Sequence, residues 1–235
     1  VTTVRGVHAV REALVADPSR IRKIVVAEGK LDPRRQELVS LARDAGVAVY
    51  RESRERLGAG GAVAELSAFA WIALEEMLAE ATRPAFLLAL DRVEDPRNFG
   101  AVVRAADGAG VDGIIVPERR TAPPSEVAVA ASAGALHHAR IARVRNLSDT
   151  LNELKKAEIW TVGLSPDASL PWHGFDFTEP VALVLGSEGR GLGKRVAATC
   201  DALVSLPQRG EVASLNLSVA AGIVLYEVVR QRNRI

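Results

Sequence analysis

The chain has 235 residues, 48% of them hydrophobic and 25% charged, with a formal net charge of +1 and only 4% aromatic side chains. Such a composition is that of a globular protein with one large or two smaller cores, and the scarcity of aromatics argues against a surface whose main business is stacking on single-stranded bases. The lone cysteine, Cys200, excludes an intrachain disulfide and a cysteine-cluster metal site, the opening VTTVRGVHAV holds no apolar signal core, and no stretch reaches the roughly 18 apolar residues of a membrane span, so a soluble cytoplasmic protein without metal is expected.

In chain order, VHAVREALVA at 7–16 has helical periodicity, RKIVVA at 22–27 reads as a strand, PRRQELVSLARDA at 33–45 as a helix and VAVY at 47–50 as a strand. This is a small α/β unit, closed by a possible strand in AVAELSAFAW after the glycine-rich GAGG at 58–61. Residues 1–66 carry 12 Lys and Arg against 9 Asp and Glu, a surplus that fits an anionic partner and fits an ordinary solvated surface equally well. A helical stretch around LEEMLAEA ends before Pro84, which sets the expected boundaries: a first domain over 1–70, a linker over 71–84 and a second domain over 85–235. The second domain alternates FLLALD, a helix at 98–109, GIIVP, a helix near 125–133, ARIARV and a helix at 147–157, then IWTVG, VALVLG and ALVSLP before a closing helix. Alternation of this kind predicts α/β architecture throughout, with mostly parallel sheets covered by helices.

Two glycine patterns invite a nucleotide and fail on context. Gly108-Ala-Gly110-Val-Asp-Gly113 has dinucleotide spacing, but it follows a helix and precedes a strand, the reverse of what such a loop needs, and so reads as a helix stop and turn. In GSEGRGLGK at 186–194, Glu188 stands where a phosphate loop needs its first glycine and Arg195 where it needs Ser or Thr.

Three stretches remain, each at or beyond the carboxyl end of a predicted strand, where ligands gather in open α/β sheets: DRVEDPRNFGAVVRAAD at 91–107, LVLGSEGRGL at 183–192 and LPQRGEVASLNLS at 206–218. In the first, Arg104 shares a helical face with Gly100, Ala101 and Gly108, small residues that would let a ligand or second subunit approach the backbone. In the third, the sequence from Leu215 to Val229 is so apolar that the helix is expected to be buried nearly all round. Ser214 could cap it. Ser214 and Asn216 would point about 200° apart within a regular helix, so both reach one site only if the chain is still turning there. A purely structural account makes Asn98 a helix cap, Glu188 a turn residue and Ser214 a cap.

Together the three segments resemble the SpoU (TrmH) ribose 2'-O-methyltransferases of the SPOUT superfamily. The likeness lies in Asn98-x-Gly100-Ala101-x-x-Arg104, in Leu185-Gly186-Ser187-Glu188-Gly189-x-Gly191, and in Leu206-Pro207-x-x-Gly210 through Ser214-Leu215-Asn216-x-Ser218, and it extends over residues 86–235. The first unit, opening with Gly6-Val7-His8-Ala9-Val10, is similar to the ribosomal-protein-L30e-like substrate domain of large-subunit rRNA guanosine methyltransferases. Ala64-Glu65-Leu66 departs from the His-Gln-Gly-like segment expected there, and Gln208 stands where the third motif often has Met.

The resemblance implies an L30e-like RNA-binding domain followed by a SPOUT α/β domain with a carboxyl-terminal trefoil knot, acting as a homodimer. It implies that S-adenosylmethionine binds, bent, in the loops of the second and third motifs, largely through backbone atoms around Gly186, Leu206 and Leu215, with Leu185 and Ser214 beside them. Arg104 would clamp a substrate phosphate or hydroxyl beside the donor bound by the other subunit. An arginine pKa above about 12 makes it a poor general base, so phosphate is the better proton acceptor. Asn98, Ser214 and Asn216 would orient the ribose and the loop, and Glu188 would hold either Arg104 or the motif loops. The implied reaction is 2'-O-methylation of a guanosine in 23S rRNA. The alternatives are transfer RNA, another rRNA site including antibiotic self-protection, and a non-catalytic RNA-binding dimer.

Overall fold

A computed structural model describes residues 2–29, 32–57, 60–67, 69–210 and 214–233, and the chain divides into two compact units, Val1–Ala70 and Trp71–Ile235. Gly58 and Ala59 of the glycine-rich segment, Ala68 of the stretch read as a strand, and residues 211–213 of the third motif lie outside the described residues.

Unit 1 comprises β1 (Thr2–Arg5), α1 (Val7–Ala16), β2 (Ile21–Ala27), α2 (Pro33–Asp44), β3 (Val49–Glu52), α3 (Arg54–Leu57) and β4 (Ala62–Leu66). Alternation along β2 sends Ile24 and Val26 into a core with Val10 and Leu14 of α1 and Leu38 and Ala42 of α2. Its other face packs Ala27 with Leu57 and Val63. The start of α2 is set by Asp32, whose Oδ1 accepts from Arg35 N at 2.9 Å, followed by Pro33 in the first turn. Among the described residues the sheet order is β1-β4-β2-β3. The expected parallel sheet is not what forms here: β4 runs antiparallel to both β1 and β2, and β3 alone is parallel to β2. Strand direction depends on where the connection returns, and β1 is too short to show readable alternation.

Unit 2 comprises α4 (Leu74–Ala79), β5 (Phe86–Leu90), α5 (Pro96–Gly108), β6 (Gly113–Pro117), α6 (Glu126–Ala131), α7 (Ala135–His138), β7 (Ile141–Val144), α8 (Leu147–Lys156), β8 (Trp160–Leu164), β9 (Leu170–Pro171), β10 (Val181–Leu185), α9 (Lys194–Thr199), β11 (Ala202–Ser205) and α10 (Leu217–Asn233). Its described strands form one sheet in the order β7-β6-β5-β10-β8-β11-β9, parallel at every pairing. β5 and β10 lie side by side, from Phe86 against Val181 to Leu90 against Leu185, and every residue of both is buried. Strands covered on both faces read as continuous apolar runs, which FLLAL and VALVL are. The chain steps outward from β5 through β6 and β7, returns to lay down β8, and later inserts β10 between β5 and β8. The carboxyl ends of β5, β10, β8 and β11 are therefore neighbours, and the loops carrying all three motifs leave from one edge of the sheet.

The segment 71–84, read from sequence as a linker, belongs to unit 2. Ile72 bridges to Ala142, and Met77 is fully buried with Leu87, Ile115 and Ala142. Met77 also accounts for one glycine of the dinucleotide-like pattern, since a Cβ on Gly113 would stand 2.4 Å from its Sδ. Gly110 takes a turn conformation with φ of 73°, and Tyr226 Oη donates to Gly108 O at 3.2 Å.

Two helix starts differ from the simplest structural account. Asp95 caps α5, accepting from Arg97 N and Asn98 N at 2.7 and 2.9 Å, so Asn98 is not the cap. Ser214 does not cap α10 either. Asn216 does, its Oδ1 accepting from Ser218 N at 2.9 Å, and both Ser214 and Asn216 precede the first helical residue. Nor is α10 buried all round, because Val219 and Tyr226 remain 50% and 53% exposed.

Candidate active site

The loop after β5 is bonded to the loop after β10. Asp91, buried, donates its N–H to Leu185 O at 2.7 Å and accepts from Gly193 N at 2.6 Å. Arg92 Nη2 reaches Gly191 O at 3.4 Å while its Nε lies 3.3 Å from Asp91 Oδ1. The second loop also closes on itself, Ser187 N to Gly191 O at 3.2 Å and Gly191 N to Ser187 O at 2.9 Å. A Cβ on Gly186 would meet Gly191 C at 2.1 Å, so this closure tolerates no side chain there.

On that frame one residue from each motif enters a single hydrogen-bond network. Glu188 Oε2 accepts from Asn98 Nδ2 at 2.5 Å and from Asn216 Nδ2 at 3.4 Å, and Asn216 Nδ2 also donates to Asn98 Oδ1 at 2.9 Å. Asn216 Oδ1 is committed to Ser218, accepting from its N at 2.9 Å and its Oγ at 2.6 Å. An ionised carboxylate can only accept, so Glu188 dictates the orientation of both amides and leaves each with a defined donor and acceptor edge. Of the two partners expected for Glu188, the structure pairs it with the motif loops and not with Arg104.

Arg104 stands exposed on α5 and lines neither of the cavities beside the network. The small-residue face around it is partly accounted for within the chain. A Cβ on Gly100 would lie 2.2 Å from Ala128 O, so that glycine serves the close packing of α5 on α6 and is not an approach for a ligand.

Two cavities flank the network. The smaller, about 150 Å³, is lined by Leu185, Gly186, Leu206, Ser214 and Leu215, all singled out in the sequence, together with Leu164, Ser165 and Pro166. The larger, about 470 Å³, is lined by Arg92, Asn98, Arg120, Glu188 and Arg190 among others. Ser187, Glu188 and Leu217 belong to both walls. Sequence reasoning missed Leu164 to Pro166, although their position at the carboxyl end of a parallel strand was a usable signal. It also missed Asp91, an acid directly after a wholly apolar strand, and the arginines of the larger cavity, which sit on loops without periodicity.

Burial pushes the Cys200 thiol up to about 12, and its Sγ donates to Val196 O at 3.3 Å, so it is not a poised nucleophile. Among the described residues there is no cluster of three or more potential metal ligands and no helix long and apolar enough to cross a membrane.

Loops from three parallel strands, joined by one carboxylate beside paired cavities, define an α/β protein with its site at the sheet edge. The chain belongs to the SpoU rRNA methylase family, whose model matches residues 85–226, and a model described as RNA 2'-O ribose methyltransferase substrate binding matches residues 3–59. It is 38% identical to the 23S rRNA (guanosine-2'-O-)-methyltransferase RlmB of Pseudomonas putida, over 97% of this chain and 96% of that one. It is 41% identical to RlmB of Coxiella burnetii, over 99% and 96% of the two chains. Among solved structures it is similar to the SpoU methyltransferase AviRb from Streptomyces viridochromogenes in complex with AdoMet, with a TM-score of 0.76 and 26% identity over 99% of this chain and 91% of that one.

Proposed function

We propose that this protein methylates the 2'-hydroxyl of a ribose in 23S rRNA, that of a guanosine, with S-adenosylmethionine as donor, in the cytoplasm where ribosomes are made. The observation that carries the reading is the Asn98–Glu188–Asn216 network, which joins the three motif loops beside a leucine-walled cavity. The named activity of the two RlmB relatives and the AdoMet-bound AviRb neighbour support the substrate and the donor.

The residues present fit that donor. At about 150 Å³ the smaller cavity falls below the ~300–1,000 Å³ usual for such ligands, and it meets the larger one at Ser187, Glu188 and Leu217, the wall across which the donor's methyl would face the substrate. Leu185, Leu206, Leu215 and Leu217 suit an adenine ring, and Ser165 and Ser214 suit its polar parts. The donor supplies an electrophilic methyl on a sulfonium. The chain's own work is positioning: Glu188 locks the two amides, Asn98, Ser214 and Asn216 orient the ribose and the loop, and the planar fork of Arg104 clamps a substrate phosphate. The hydroxyl proton then passes to a phosphate oxygen, since a guanidinium, already cationic, has no free lone pair to take it.

Arg104 serves the donor site of a second copy in a homodimer. Its exposure on α5 and the exposed Val219 and Tyr226 on α10, which packs against α5, support that arrangement. We further read residues 1–70 as an L30e-like RNA-binding domain, which the match over residues 3–59 supports. Residues 85–235 are read as a SPOUT domain with a trefoil knot. The late insertion of β10 between two earlier strands, and the bonding of its loop to that of β5, favour a threaded chain.

Mass spectrometry of 23S rRNA from cells with and without the gene tests the reaction, and loss of one 2'-O-methylguanosine is the expected result. Calorimetry with S-adenosylmethionine, NADH and ATP tests the donor. Affinity for either nucleotide and none for S-adenosylmethionine would sink the reading.

A further inference from the structure

The larger cavity holds more cationic chemistry than the network uses. Arg92, Arg120 and Arg190 line it from three different loops, facing the Asn98–Glu188 side of the network. Its acids are Glu94, Asp95 and Glu188. Asp95 is committed to capping α5, Glu188 accepts from the two asparagines, and Glu94 is exposed. Arg92 leans on Asp91 and Gly191 O, whereas Arg120 and Arg190 are exposed and neither is in an ion pair or hydrogen bond with another described residue.

The backbone that carries these arginines is tied down. The loop of Arg120 is tied to the loop of Arg92 by Ala122 N to Val93 O at 2.7 Å, and closed by Thr121 Oγ1 to Pro117 O at 2.7 Å. The loop of Arg190 is closed by the paired bonds between Ser187 and Gly191. Arg92 and Arg120 have φ of 59° and 61°, a backbone state that L side chains seldom take. Among the described residues the other non-glycine cases are Ala133 and Glu158. Strain of this kind persists where the surroundings over-determine it, and it gathers at ligand sites.

We propose that this cavity is a phosphodiester site, in which the guanidinium groups of Arg120 and Arg190, backed by Arg92, grip the RNA backbone next to the ribose held at Asn98 and Asn216. The inference rests on the methyltransferase reading for its RNA, and it adds substrate contacts at Arg120, outside the three motifs, and at Arg190, the unspecified position of the second. Guanidinium forks match phosphate oxygens two at a time, and a cavity of about 470 Å³ takes a nucleotide-sized group. The donor's carboxylate is the poorer occupant, because Glu188 stands in the wall between the two cavities.

The test uses the full-length protein and a 23S rRNA transcript, with Arg120→Asn, Arg190→Ala, the double variant, and Arg195→Ala as a control whose guanidinium pairs with Asp149 at 3.0 Å. Asparagine tolerates the left-handed backbone at position 120, so the fold should survive. Arg120→Asn and Arg190→Ala should each flatten the logarithmic salt dependence of RNA binding by about 0.7 and weaken binding roughly fivefold to tenfold at low salt, and the double variant should flatten it by about 1.4. KM should rise by the same factor with the single-turnover rate, the donor affinity and the melting temperature near wild type, while the control keeps the wild-type slope. An unchanged slope and KM in the double variant would overturn the proposal, as would loss of donor affinity with RNA binding intact, or no rRNA binding by the wild type. A wild type whose binding shows the arginine-dependent slope without methyl transfer would keep the phosphate site and sink the reaction; normal methylation by the double variant would do the reverse.

Discussion

Asn216 Nδ2 donates to Asn98 Oδ1 over 2.9 Å across 118 residues of chain, and Asn98 Nδ2 continues the line to Glu188 Oε2 at 2.5 Å. The three motifs are thus held in register by side chains, of which Asn98 and Glu188 also line the larger cavity.

Removing the charge-assisted bond should therefore cost rate before it costs fold. Asn98→Ala removes the exposed bond to Glu188 that holds the motif residues in register, which predicts roughly a tenfold to hundredfold fall in kcat/KM with a Tm lower by no more than a few degrees. Asn216→Ala should lose rate and also its helix cap, about 1 kcal/mol, or a few degrees in Tm for a chain of this size. Asn216→Ser separates the two: serine caps as well, but its hydroxyl is too short to reach Asn98. Melting should recover and rate should not. Equal recovery of both would make Asn216 a cap and nothing more.

Arg104→Ala should abolish methyl transfer with donor affinity near wild type, and Arg104→Lys should not restore it, because an ammonium lacks the planar fork. If Arg104 acts across a dimer, mixing Arg104→Ala with a donor-site variant should recover part of the activity. Gly186 is a poor choice for that partner, since any side chain there collides with Gly191. Leu215→Arg is better, because Leu215 lines the smaller cavity proposed for the donor yet is 38% exposed. Single-turnover methylation by proven heterodimers decides it, and no recovery would put Arg104 and the donor in one chain.

Gly100→Ala should destabilise unit 2. The added methyl would meet Ala128 O at 2.2 Å and Ala131 Cβ at 2.8 Å, both on the neighbouring helix, so α5 and α6 must move apart at a cost of about 1–3 kcal/mol. Thermal unfolding followed by circular dichroism measures this. An unchanged Tm would show the two helices to be loosely packed.

Stability should also fall on acidification through Glu227. Its carboxylate, buried on α10, accepts from Arg230 Nε and Nη2 at 2.7 Å each, and these bonds hold its pKa below the ordinary 4.5 against the opposing effect of burial, with Gln231 helping. A depressed folded pKa contributes stability that is complete above the unfolded value and lost as pH falls through the folded one. The Tm gap between wild type and Glu227→Gln should therefore be constant from neutral pH down to about 5.5 and close below 4.5. A gap that widens toward low pH would reverse the sign and rule out the ion pair as the cause.

Much of this architecture was readable without coordinates, for local reasons. FLLAL and VALVL announce strands buried on both faces, and PRRQELVSLARDA announces a helix from Pro33, because burial and helical periodicity are properties of a few consecutive residues; the helix read from 98 instead begins at Pro96 behind the Asp95 cap. The motif residues that share the network were also recognisable, though through likeness to a family and not through periodicity. The antiparallel course of β4, the packing of Met77 from a segment that reads as a linker, and the cavity arginines on loops carry no local signature.

What the chain determines by itself is which segments are strands and helices, where several helices begin, and which three stretches carry unusual polar residues after apolar strands. Tertiary structure alone decided that β10 slides between β5 and β8, that Asp91 ties two motif loops together, and that Glu188 bonds to Asn98 and Asn216 instead of Arg104. The physical reason is range. Side-chain periodicity and caps are set within a few residues, whereas strand order and the meeting of residues 118 apart are set by which buried surfaces pack together once the whole sheet has formed.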